Sequence, residues 1–186
     1  MAWLVFGGSF NPPHVAHVLA VCLARTLLGD EYEGTLVIPT FAHAFGKPLA
    51  PFEDRVAMAA AAFAWIPGVE ISPIEQELGA PSRTVRTLRE LKRRAPERAL
   101  RLLVGADILG ECDKWAEFDA VIALAPLLVL GRQGVRADDA PVALLPELSS
   151  TEVRALLERK DWDALATRIP KTVLAYLRAR PHLYST

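Results

Sequence analysis

The sequence predicts a Rossmann-like α/β fold: an open, mostly parallel sheet with helices on both faces and a helical C-terminal segment, about 149–186, packed against it. Three observations carry this. Short apolar runs alternate with amphipathic stretches along the whole chain. Their order, β-α-β-α-β-α-β-α-β, requires the crossover helices that parallel neighbours need. The chain has 186 residues, 52% of them hydrophobic. With no repeat, low-complexity tract or linker, this is expected to form a single domain over 1–186.

The elements follow in order. "AWLVF" (2–6) reads as a buried strand, and "HVAHVLAVCLARTLLG" (14–29) as a helix closed by Gly29. "GTLVIPT" (34–40) is a second strand. "PFEDRVAMAAAAFAW" (51–65) is a helix with Pro51 near its start and acids in its first turn, where they complement the dipole. "GVEIS" (68–72) is a short third strand. "SRTVRTLRELKRRAP" (82–96) is a helix with Ser82 as the expected N-cap and Val85, Leu88 and Leu91 on one stripe. "ALRLLVG" (99–105) and "APLLVLG" (125–131) are buried strands, with short helical pieces between them around "DILGEC" and "WAEFDAVIAL". "PVALLPE" (141–147) is the expected last strand. "SSTEVRALLER" (149–159) then begins a helical end with two further short helices, Pro170 opening the last.

The formal net charge is −1, so no general attraction to nucleic acid is expected, and anion binding must come from a local site. The basic run "RTVRTLRELKRR" (83–94) reads as a solvated helix face, because its apolar stripe points inward. Cys22 and Cys112 are too few for a disulfide framework and lack metal-ligand spacing, so they are expected to be reduced thiols. Gly7 and Gly8 interrupt the first apolar run at once, against a signal peptide, and "LAPLLVLG" (124–131) is too short to cross a bilayer. A cytoplasmic protein with no membrane partner is expected. Its oligomeric state is not legible.

Chemistry concentrates in "VFGGSFNPPHVAH" (5–17). It has neither GxxxxGK[ST] nor GxGxxG, so it is not a P-loop or a dinucleotide fingerprint. Two glycines nevertheless let the backbone approach a phosphate, and a helix N-terminus follows. His14 and His17, three apart in the first helical turn, share one side of that mouth and suit the stabilisation of transition-state charge. "SSTEVR" (149–154) offers a second site of the same kind: Ser149 or Ser150 as cap, Glu152 in the first turn, and Arg154 projecting from it. In a parallel sheet, ligands bind beyond the carboxyl ends of the strands, at the switch point.

On these residues the chain resembles the nucleotidyltransferases of the HxGH signature. "GGSFNPPHVAH" is similar to their GG[ST]F[DN]PxHxGH opening and "SSTEVR" to their late S-[ST]-T-x-[IV]-R motif. "PSRTVRTLREL" and "GADILGECDKW" resemble segments of the nicotinate-nucleotide adenylyltransferase branch. The resemblance covers essentially the whole chain and implies adenylyl transfer from ATP to nicotinic acid mononucleotide, giving deamido-NAD and pyrophosphate, with Mg²⁺ accompanying ATP. The attack would be in line, without a covalent enzyme intermediate. It implies His14, His17 and Arg154 as catalytic groups. Gly7, Gly8, Ser9, Phe10, Ser149, Ser150 and Thr151 would surround the ATP phosphates. Thr84, Asp107, Trp115 and Lys47 would bind the acceptor, Trp115 stacking on its ring. No residue is implied as a metal ligand.

Three departures stand out. Ala16 occupies the glycine position of HxGH, and Arg83 the tyrosine of S-Y-T. The loop "PTFAHAFGKPLAP" (39–51) replaces a PxxxPPHK pattern, with His43 and Lys47 as its cationic groups. These changes bear on the acceptor more than on the transfer. Nicotinamide mononucleotide or phosphopantetheine as acceptor, or a nucleotide-binding module without turnover, are the alternatives.

Overall fold

The computed structural model describes residues 1–42, 48–111, 114–133 and 143–184. Six parallel strands form one sheet in the order β3-β2-β1-β4-β5-β6. These are β1 (Ala2–Gly8), β2 (Tyr32–Pro39), β3 (Val69–Ile71), β4 (Ala99–Gly105), β5 (Leu127–Arg132) and β6 (Ala143–Leu145). Helices α1 (Val15–Leu28), α2 (Phe52–Phe63), α3 (Ile74–Leu78), α4 (Thr84–Arg94) and α5 (Phe118–Leu124) lie between strands. Helices α6 (Ser150–Glu158), α7 (Trp162–Ala166) and α8 (Lys171–Arg178) follow β6. Among the described residues no helix is long and apolar enough to cross a membrane.

The period-two alternation of the strands divides the core in two. Leu4 and Phe6 of β1, Val37 of β2, Leu103 of β4 and Leu130 of β5 pack with α1, α2 and the C-terminal helices. Trp3 and Val5 of β1, Leu36 and Ile38 of β2, and Leu100, Leu102 and Val104 of β4 pack with α3, α4 and α5 on the other face. Gly34 fits because a Cβ there would meet the Trp3 ring at 2.7 Å.

Two details differ from the sequence reading. The five-residue helix α3 was not expected, and it fills the step between β3 and α4. Ser82 does not cap α4: Arg83 stands at the N-cap position without a side-chain cap, and Ser82 Oγ instead accepts the Ala42 N–H at 3.1 Å. Cys112, His43 and Lys47 lie outside the described residues, as do 141–142 of the last expected strand.

The register places the site. β1 pairs with β4 only from Ala2 to Val5, but with β2 all the way to Gly8. Beyond Val5 the sheet therefore parts between β1 and β4, where the strand order reverses. Gly7 and Gly8 stand at the edge of that gap.

Candidate active site

The gap opens into a cleft of about 570 Å³ that spans both sheet faces. Its first half is lined by Gly7, Gly8, Ser9, His14, Ala16, His17, Arg132, Ser149 and Ser150. Its second half is lined by Glu75, Arg83, Thr84, Asp107, Lys114 and Trp115. The two motif-bearing ends of the chain thus meet at one opening. Ser150 Oγ donates to Pro12 O at 3.0 Å, which ties them directly. Ser149, not Ser150, is the cap of α6: its Oγ accepts the Glu152 N–H at 3.2 Å.

Not every expected residue reaches the cleft surface. The Phe10 side chain is fully buried, edge-on to Phe6 and Phe63, with φ of 44°. A non-glycine residue in that region is strained, and here burial of the ring, worth roughly 1.5–3 kcal/mol, holds it. The ring also explains Gly8, where a Cβ would meet it at 3.2 Å. Arg154 and Thr151 are not among the lining residues. Arg154 donates to Asn11 O at 2.9 Å and to Thr151 Oγ1 at 3.1 Å, so in this structure it braces the opening loop. The methyl of Ala16 is buried in the cleft wall.

The histidines form one unit. His14 is buried at the start of α1 and His17 is half-buried, and their rings stack at 3.7 Å between centroids with 21° between planes. His17 Nδ1 accepts the His14 backbone N–H at 3.1 Å, which leaves the proton of a neutral ring on Nε2. His14 Nδ1 is buried without a hydrogen-bond partner among the described residues. Burial, reinforced by the Arg132 guanidinium, pulls the His14 pKa down to about 3. Burial, His14 and Arg132 hold His17 well below the ordinary histidine range. Both rings are therefore neutral donors near pH 7. An anionic phosphate brought against them would raise their proton affinity.

This has a consequence for stability. The unfolded chain takes up a proton on the His14 imidazole below about pH 6.5, whereas the folded chain resists until about pH 3. The contribution is fully present above 6.5 and is lost as pH falls towards 3. Between pH 7 and 5, His14 alone costs about 2 kcal/mol of stability. Urea unfolding of the wild type and of His14→Asn at the two pH values should show the variant losing about that much less. An equal loss in both would contradict the neutral buried ring.

Two lining residues carry no local signature in the sequence. Arg132 ends β5, donates to Leu148 O, and lies 3.9 Å from Asp107 Oδ2, which brings a cation beside the histidines. Gly105 permits this placement of Asp107, because a Cβ there would collide with Asp107 Oδ1. Glu75 of α3 is buried, accepting from Thr87 Oγ1 at 3.2 Å and from the Phe41 N–H at 3.1 Å. The available signal was positional: a charged residue at the carboxyl end of an apolar strand in a parallel sheet faces the ligand edge.

A parted parallel sheet, a glycine turn, a helix N-terminus bearing two neutral imidazoles and a second capped helix at the same opening define a Rossmann-like nucleotidyltransferase. The cytidylyltransferase-like family model matches residues 5–156. The chain belongs to that family and, within it, to the nicotinate-nucleotide adenylyltransferases. It is 43% identical over 180 residues to a probable nicotinate-nucleotide adenylyltransferase of Anaeromyxobacter dehalogenans, covering 95% of this chain and 93% of that one. A protein of the same name from Thermus thermophilus is 32% identical over 179 residues, covering 93% and 94%. The solved nicotinic acid mononucleotide adenylyltransferase of Plasmodium falciparum complexed with NaAD has the same fold. Its TM-score is 0.82 at 18% identity, over 98% of this chain and 97% of that one.

Proposed function

We propose that this enzyme transfers the adenylyl group of ATP to nicotinic acid mononucleotide, releasing pyrophosphate and forming deamido-NAD, as a single domain in the cytoplasm. The observation that carries this is the convergence of both motif ends on a cleft with an aromatic, polar second half. The full-length likeness to relatives bearing that activity in their names supports it.

The mononucleotide phosphate attacks the α-phosphorus of ATP in line, and the P–O bond to pyrophosphate breaks. No enzyme nucleophile intervenes, so the protein's task is positioning and charge stabilisation. Gly7, Gly8, Ser9 and the start of α1 receive the phosphates, joined by Ser149 and Ser150. His14 and His17 donate to oxygens on which charge builds. Arg154, with Thr151, holds the Asn11 turn in place and is the guanidinium available to the departing pyrophosphate from α6. Phe10 acts through its backbone and by seating Gly8. Thr84, Asp107, Trp115 and Lys47 bind the acceptor, the indole stacking on the pyridine ring.

Mg²⁺ neutralises ATP's phosphate charge in such reactions. Among the described residues no group of three His, Cys, Asp or Glu is placed to cage a cation, and the first half of the cleft offers donors suited to anions. These residues do not form a metal cage, so no step is assigned to a protein-held ion.

A pyrophosphate-release assay with ATP and each of nicotinic acid mononucleotide, nicotinamide mononucleotide and phosphopantetheine tests the reading. Turnover is expected to be fastest with the first. Exclusive use of phosphopantetheine, or none of the three, would overturn it.

A further inference from the structure

The second half of the cleft holds a charged group that no neighbour has claimed. Helix α4 is strongly basic, yet its other cations are committed. Arg86 donates to Pro81 O at 2.8 Å and Leu78 O at 2.9 Å. Arg89 grips both oxygens of Glu117, at 3.1 and 2.6 Å. Lys92 donates to Arg98 O at 2.6 Å, and Arg93 and Arg94 bond Glu90 at 2.8 and 2.7 Å. Arg83, immediately before the helix, is exposed and lines the cleft beside Thr84. Among the described residues its guanidinium makes no hydrogen bond or ion pair. Glu117 feels its charge, but the oxygens of Glu117 are occupied by Arg89.

The other charged lining residues of this half already have polar partners. Glu75 accepts from Thr87 and Phe41, Asp107 faces Arg132, and Lys114 bonds Glu111 at 3.1 Å. The charged side chain left without a polar partner among the described residues is a cation, and it lines the same cleft as the Trp115 indole. That pair suits a flat ring bearing a carboxylate. A ring amide is neutral and presents an NH₂ group as well as an oxygen, so it cannot complete the same ion pair.

We infer that Arg83 is a specificity-determining residue that recognises the anionic substituent of the acceptor's ring and favours the acid over its amide. The inference rests on the adenylyl transfer proposed above and names the side chain that selects within it. Because Arg83 is exposed, water and salt weaken the pair, and the expected discrimination is modest, about tenfold.

Steady-state kinetics of the wild type, Arg83→Met and Arg83→Lys with nicotinic acid mononucleotide and with nicotinamide mononucleotide test this. Arg83→Met should lower the acid-to-amide ratio of kcat/KM about tenfold, mainly by raising KM for the acid, and Arg83→Lys should restore part of it. The urea midpoint of both variants should stay at the wild-type value. An unchanged ratio overturns the inference. So does an equal loss with both acceptors, which would put the guanidinium on their shared phosphate. If the wild type turns over neither acceptor, the adenylyl-transfer reading fails separately. Calorimetric affinities of the two mononucleotides for the same variants then decide Arg83 on their own, a ratio unchanged by Arg83→Met overturning it.

Discussion

Replacing His17 by alanine is expected to lower kcat about 10²–10³-fold while the affinity for ATP falls by no more than about tenfold. The asymmetry comes from the state of the ring. His17 is held neutral by burial and by its neighbours, with Nδ1 occupied by the His14 N–H, so it presents one N–H donor. On the proposed reading, that donor is one of several offered to the phosphates in the ground state, beside the glycine turn, the start of α1 and the serines of α6 that line the cleft with it. On the same reading its value would rise as negative charge gathers on the oxygens of the reacting phosphorus, because it is already oriented by stacking on His14 and by the edge-on Phe10 ring, 5.1 Å away between centroids. Single-turnover rates and equilibrium ATP titration separate the two quantities. His17→Asn, which keeps an N–H donor, should recover part of the rate. Equal loss of rate and affinity would instead describe a binding module.

The fold was legible because each strand carries its burial pattern locally. Leu4 and Phe6 alternate with Trp3 and Val5, and the two sets enter different cores. The histidine turn was legible for a related reason: its glycines, prolines and imidazoles are adjacent in sequence, and their chemistry is local. What escaped notice is either too short to show a pattern or depends on distant partners. Helix α3 has five residues, too few for a periodic stripe to register. Ser82 has the side chain of a cap, but its hydroxyl bonds the Ala42 N–H, forty positions earlier in the chain. Arg132 resembles any polar residue after a strand until β5 is laid beside β4 and Asp107 comes within reach. Arg154 shows the same limit from the other side. Its motif identified it as important, but only the packing of α6 on the opening loop reveals the Asn11 carbonyl it holds.

Arg55→Met should destabilise the protein by about 2–4 kcal/mol, because it strips the donor from several buried carbonyls at once. Arg55 of α2 is 1% exposed, and its guanidinium forms no ion pair among the described residues. It donates instead to Ala50 O at 2.9 Å, Ser9 O at 3.0 Å, Thr40 O at 2.6 Å and Phe41 O at 3.4 Å. Methionine fills much of the same volume but leaves those carbonyls without their donor, at about 1–3 kcal/mol for each one that water cannot reach. The carbonyls belong to the glycine turn after β1 and to the loop after β2, so this buried cation fastens the two loops at the mouth of the cleft to each other. Below the melting temperature of the variant, KM for ATP and for the acceptor should therefore rise together, with kcat less affected. Arg55→Lys, which supplies a cation with fewer and shorter-reaching donors, should fall between the two. Urea unfolding with an unchanged slope gives the stability term. A midpoint within about 0.5 kcal/mol of wild type would mean that water replaces the guanidinium at these carbonyls. The two loops would then be held by the apolar contacts of α2 alone.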